Sequence, residues 1–115
     1  MDRGELRGLL KGIIAATTTP FDEDFEVDYG RMAELTRWWV ESGIVGGKAV
    51  LKVASVMGEV PQLADHEWPA LVRTVVQAAG GRVPVVSGIH GKDTKRTIDD
   101  ALRAQDLGAV GLQVG

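Results

Sequence analysis

Apolar residues along this chain follow two patterns that take turns. Short, nearly unbroken apolar runs lie at 12–18, 49–55, 83–88 and 109–114, and the stretches between them place apolar residues three and four positions apart. The runs predict β-strands. Gly12-Ile13-Ile14-Ala15-Ala16-Thr17-Thr18 is short and β-branched and is stopped by Pro20. Val83-Pro84-Val85-Val86-Ser87-Gly88 carries its proline near the start, where a missing amide proton costs little. The longer stretches predict helices. Asp28 caps one with Tyr29, Met32, Leu35 and Trp39 on its apolar side, closing at Gly43. Asp65 caps the next, in which Trp68, Leu71, Val72, Val75, Val76 and Ala79 form one stripe and Pro69 is tolerated in the first turn. Asp93 or Thr94 caps the last, with Ile98, Ala101 and Leu102 facing inward and Gly108 at its end.

Strands that read as continuous apolar runs, without strict alternation, are buried on both faces, as in parallel sheets covered by helices. Strand starts recur about every 30 residues, the length of a βα unit. The expectation is therefore an α/β fold, a parallel sheet with helices outside. No linker or low-complexity stretch divides the chain, so residues 1–115 read as one partial-barrel domain with a short amphipathic lead-in over 1–11. Four βα units are half of an eight-unit barrel, whose chemistry draws on strand ends from all round the ring. A closed barrel has no sheet edges, whereas four strands leave two. The first and fourth strands carry no lysine, no internal proline and no bulge signal beyond Gly111 to protect those edges. Taken alone, such a chain is expected to be marginal, to aggregate, or to pair with another copy about a two-fold axis that completes eight strands.

Composition narrows the function classes. With 13 basic and 16 acidic side chains the net charge is -3, which argues against a nucleic-acid partner. Cysteine is absent and His66 and His90 are the two histidines, so the ligands of a structural zinc site are missing and no metal is expected. No apolar run approaches the ~20 residues of a membrane helix, and the N-terminus lacks a signal-peptide core; a cytoplasmic protein is expected.

Five segments, in order, resemble the dihydrodipicolinate synthase / N-acetylneuraminate lyase family. They are Gly12-Ile13-Ile14 through Thr19-Pro20-Phe21-Asp22-Glu23-Asp24; Ser42-Gly43-Ile44; Gly58-Glu59-Val60-Pro61-Gln62-Leu63-Ala64-Asp65-His66-Glu67; Gly81-Arg82-Val83-Pro84-Val85-Val86-Ser87-Gly88; and Leu107-Gly108-Ala109-Val110-Gly111. The resemblance implies a (β/α)8 TIM barrel, of which this chain covers the first four βα units, usually oligomeric. It also implies a class I lyase or aldolase acting on a keto acid such as pyruvate, with no metal or organic cofactor. In that chemistry a lysine forms a Schiff base with the keto carbon, creating an electron sink. A tyrosine shuttles protons, and a Thr-Thr pair before the Gly-Glu holds the carboxylate. This sequence has Val56 and Met57 at the Thr-Thr positions, and the stretch between Gly43 and Gly58 is a few residues longer than usual. The lysine and tyrosine of the pattern fall beyond Gly115. The expectation is the N-terminal half of such a barrel without its nucleophile. The alternative is a non-catalytic truncated relative that acts by assembling with copies or with a complementing full-length chain.

Candidate site residues follow from strand ends, since barrel chemistry sits at the C-terminal ends of the strands. Gly58 and Glu59 follow the second strand and are expected to line a substrate pocket, Glu59 without a direct chemical role. Ser55 is the nearest hydroxyl that replaces the lost threonine contact. Lys52 and His90 are the candidate catalytic residues. Alternation along the strand puts Lys48, Val50, Lys52 and Ala54 on one side and Leu51 and Val53 on the other, so Lys52 points into the lumen. Lysines enclosed in apolar surroundings can serve as Schiff-base nucleophiles; an ordinary solvated lysine is the simpler reading. His90 follows the third strand, where an imidazole can exchange protons near neutral pH, against the commoner solvated loop histidine. Tyr29 and the Trp38-Trp39 pair read as packing residues. Gly88-Ile89-His90-Gly91 lacks the third glycine and distal acid of a dinucleotide fingerprint.

Overall fold

The computed structural model describes residues 2–55, 58, 63–90 and 93–114. Its elements run α1 (Arg3–Leu9), β1 (Ile13–Ala16), α2 (Tyr29–Glu41), β2 (Ala49–Val53), α3 (Glu67–Ala79), β3 (Val85–Ile89), α4 (Thr94–Asp106) and β4 (Gly111–Val114). The strands form one sheet in the order β1-β2-β3-β4. All three pairings are parallel, with Ala16 opposite Lys52, Lys52 opposite Val86 and Val86 opposite Gly111. Sequential parallel strands joined by helices on one face are βα units wound in a single direction, the arrangement of half a barrel.

The core lies between the outer face of the sheet and the helices. Leu51, Val53 and Val85 from the strands cluster there with Met32, Val40, Leu71, Val72, Val75 and Ala79. Fully burying side chains such as Leu71, Val72 and Val75 contributes about 1.5–3 kcal/mol each. Asp28 caps α2 by accepting from the Arg31 amide, and Asp93 caps α4 by accepting from the Arg96 amide. Each cap satisfies one of the four orphan amides of a helix start. The predicted strands are longer than the observed ones: the first, for example, ends at Ala16, after which the Thr17 amide still donates to the Lys52 carbonyl of β2.

Three expectations are corrected. The helix after β2 starts at Glu67 with His66 at the N-cap and no side-chain cap, so Asp65 does not fill that role. Glu67 takes over one capping task by reaching back to the Ala64 amide, at 2.9 Å. Ala54 does not continue the inward row of Val50 and Lys52, because β2 ends at Val53 and Ala54 turns into the left-handed region at φ 57°. Finally, Ile98 and Leu102 of α4 do not face inward; they are 54% and 56% exposed, and Ala104 is that helix's buried residue. The stripe is real, but the surface it would cover is not supplied by the described residues.

Candidate functional site

The C-terminal ends of the first three strands are knitted into one layer. Thr17, Thr19, Ser55, Gly58 and Ser87 are all buried there. The Thr17 hydroxyl donates to the Lys52 carbonyl at 3.3 Å, and the Thr19 hydroxyl donates to the Gly58 carbonyl at 2.7 Å. The Gly58 amide donates back to the Ser55 carbonyl at 3.0 Å, closing a tight turn after β2. The Trp68 indole donates to the Gly88 carbonyl at 3.0 Å, which ties the start of α3 to the end of β3.

Two glycines make this layer possible by close approach. A Cβ on Gly88 would stand 2.2 Å from the Ala54 carbonyl oxygen, so no side chain fits there. A Cβ on Gly58 would press to 3.1 Å on both the Thr17 carbonyl and the Thr19 hydroxyl oxygen. The β1–α2 loop is drawn over the same end of the sheet. Its Phe21 and Val27 form an antiparallel bridge, and the Asp22 carboxylate accepts from the Asp24 and Glu26 amides. Glu67, buried to 8% exposure, accepts from the Val27 amide at 3.0 Å with one oxygen and from Ala64 with the other. Burial pushes the Tyr29 hydroxyl above its ordinary 10.0, and the Glu67 and Glu26 carboxylates push it further.

Within this layer the Ser55 hydroxyl is buried and, among the described residues, has no hydrogen-bond partner. A buried unpaired hydroxyl costs about 1–3 kcal/mol, and each such group in a native structure calls for a physical explanation. It sits where barrel enzymes bind their ligands.

The other candidates are distributed differently. Gly58 lies in the strand-end layer with Ser55. Glu59, with Val56 and Met57, lies outside the described residues. His90 is exposed just past β3, and His66 is exposed at the start of α3. Lys52 is half-buried on the inner face of the sheet, beside Ile14, Val50, Val86 and Gln113 around a cavity of about 360 Å3. Ser55 does not line that cavity, so the structure keeps the lumen lysine and the strand-end serine in separate places. Among the described residues no cluster of histidine and acidic groups could hold a metal ion, and no helix is long and apolar enough to cross a membrane.

Sequence reasoning missed Thr17, Thr19, Trp68, Glu67 and Gly88 as parts of this layer. For Glu67 a signal existed: an acidic residue three positions after the Ala64 amide it caps, at a helix start. The partners of the two threonines lie more than thirty residues away, and nothing local announces them.

Comparison with known proteins agrees with this geometry. Residues 9–114 match the Dihydrodipicolinate synthetase family. The 4-hydroxy-tetrahydrodipicolinate synthase of Sorangium cellulosum is 40% identical over 106 residues, covering 91% of this chain and 34% of that protein. That of Halalkalibacterium halodurans is 37% identical over 102 residues, covering 89% and 33%. Among solved structures, dihydrodipicolinate synthase from Aquifex aeolicus superposes with a TM-score of 0.81 at 31% identity, over 91% of this chain and 34% of that one. YagE, a prophage protein of the same family from E. coli K12 solved in complex with pyruvate, gives the same TM-score and identity over 92% and 34%. The chain thus spans about a third of the length of the curated relatives it matches. Its sheet corresponds to the first four βα units of a (β/α)8 barrel, and the chain belongs to the dihydrodipicolinate synthetase family.

Proposed function

We propose that this chain is the N-terminal half of a Schiff-base, pyruvate-dependent lyase or aldolase-type barrel, one that brings pocket lining to the reaction and no nucleophile. The observation that carries this reading is the Ser55 hydroxyl, buried at the C-terminal ends of the strands and without a hydrogen-bond partner among the described residues. A hydroxyl that no described residue engages can donate to a ligand carboxylate, and Val56 and Met57 offer no hydroxyl of their own. Gly58 is buried in the same layer, and in this reading Glu59, which follows it in the sequence, lines the substrate pocket. The family match and the pyruvate complex of YagE support a keto acid as the ligand. The reactive lysine then comes from a later strand of the completed barrel. Lys52 faces the lumen, away from the layer that holds Ser55, and serves another purpose.

Borohydride trapping with pyruvate tests this. The 115-residue chain alone should give no covalent adduct. Co-expressed with the remaining two thirds of the Sorangium cellulosum relative, it should support an adduct on that segment. Replacing Ser55 by alanine should then raise the pyruvate concentration needed for half-maximal trapping by about tenfold, the worth of one hydrogen bond to a charged group. An adduct on Lys52 in the isolated chain would overturn the assignment.

A second reading has one observation in its favour. Ile13, Ile14, Leu112 and Val114 on the outermost strands are 42–66% exposed. Exposed apolar strands suit a non-catalytic member that works by assembling with copies or full-length relatives. Co-purification with a full-length relative, without turnover of keto acids, would favour it.

A further inference from the structure

We propose that the open inner face of this sheet docks a half-barrel that is not a copy of this chain and that carries a carboxylate level with Lys52. The inference rests on the half-barrel reading above and adds the chemistry of the missing half. The Lys52 face carries Ile14, Val50 and Val86, with Gly111 and Gln113 on the outermost strand, and among the described residues Lys52 is the one charged residue around the cavity. The Lys52 ammonium forms no hydrogen bond or ion pair among the described residues. It is already half-buried between the buried Val50 and half-buried Val86, on a face that opens at Ile14 and Gln113.

Closing the ring changes its surroundings. The interior of an eight-stranded barrel is just wide enough for side chains to fill it, and it is packed in layers. An ammonium sealed into such a core without an anion is strongly unfavourable, and one hydrogen-bonded to a carboxylate is tolerated. The incoming half therefore has to bring an acid to this level.

A second copy cannot. A two-fold axis along the barrel would carry Lys52 of the partner copy to the same height across the lumen. Strand positions two and six share a layer, because each layer draws on alternate strands. Two ammonium groups would then face each other with no acidic residue among the cavity-lining side chains of either copy. Gln113 can accept a hydrogen bond, but it neutralises nothing. Lys52 thus opposes the self-closure that the unprotected sheet edges invite, and favours a non-identical half. The relatives are about three times as long as this chain, so most of each lies outside the matched segment.

Charge reversal tests this directly. Wild-type chain, Lys52→Glu, Lys52→Met and an equimolar mixture of wild type with Lys52→Glu are compared by native mass spectrometry and light scattering at low salt. The mixture should form a one-to-one pair at least tenfold tighter than either chain forms with itself, and added salt should loosen it. Lys52→Met should pair with itself. Where a purified chain aggregates, pull-down between differently tagged co-expressed copies reads the same selectivity. Wild type self-pairing as tightly as the mixture, or being recovered equally well in pull-down, would overturn the inference. So would pairing by Lys52→Met without pairing by the mixture. If neither Lys52→Met nor the mixture pairs, the half-barrel reading falls and takes this inference with it.

Discussion

Phe25 holds a backbone conformation that its side chain does not favour. Its φ is 63°, its ring is 87% exposed, and it sits in the turn organised by the Asp22 carboxylate. A bulky L-residue in the left-handed region costs about 1–2 kcal/mol, and an exposed ring recovers little. Phe25→Gly should raise stability by about 0.5–1 kcal/mol once the greater freedom of the unfolded glycine is subtracted; denaturant titration checks this, and unchanged or lowered stability counts against the strain. Glu67 carries the opposite kind of burden, since its two oxygens serve two amides on different segments. Glu67→Gln can accept from only one of them and turns a donor toward the other, so it should cost on the order of 2 kcal/mol. The same change has a second readout. Tyr29 is the sole tyrosine, and Glu67 contributes to its raised hydroxyl value. Its ultraviolet titration should move back toward 10.0 in the variant. In the parent the folded state keeps the phenol proton above the unfolded value, so this group's contribution is intact below pH 10.0 and is lost as pH rises through the higher folded value.

The βα units share one design whose visibility in the sequence varied with how local its causes were. The caps at Asp28 and Asp93, the stripe of α3 and the glycine after α2 were all legible, because each depends on neighbours three or four residues away. The start of α3 was not, because the cap is supplied from within the helix by Glu67. The inward face of α4 was misread for a different reason. Spacing identifies an apolar stripe, but only the presence of a facing element decides whether Ile98 and Leu102 become buried. Contact between units is also tight where β3 passes the end of β2. Gly88→Ala would place a methyl 2.2 Å from the Ala54 carbonyl oxygen, and the atoms it meets are Ala54 and Ser55 backbone, which has little room to yield. The expected loss is about 3 kcal/mol, read from denaturation midpoints. Tolerance of alanine would mean the two strands part more easily than their spacing suggests.

Across the whole sheet, protection is uneven. Every described residue of β1 is exposed or half-buried, and β4 has the same character, while β2 and β3 are buried between them. Amide hydrogen exchange should be slowest in β2 and β3 and markedly faster in β1 and β4, since the outer strands bury little apolar surface and open at small cost. Uniform protection would show that the edges are already covered by another chain. The sequence by itself determined the number and order of the βα units, most helix caps and the division of β2 into an outward Leu51–Val53 side and an inward Lys52 side. These follow from periodicity and capping, which act over a few residues. The tertiary structure alone decided that Ser55 finds no partner among the described residues, that Glu67 clamps two loops and that Ile98 and Leu102 stay exposed. Those outcomes depend on which distant backbone groups arrive beside a side chain, and no local pattern encodes that.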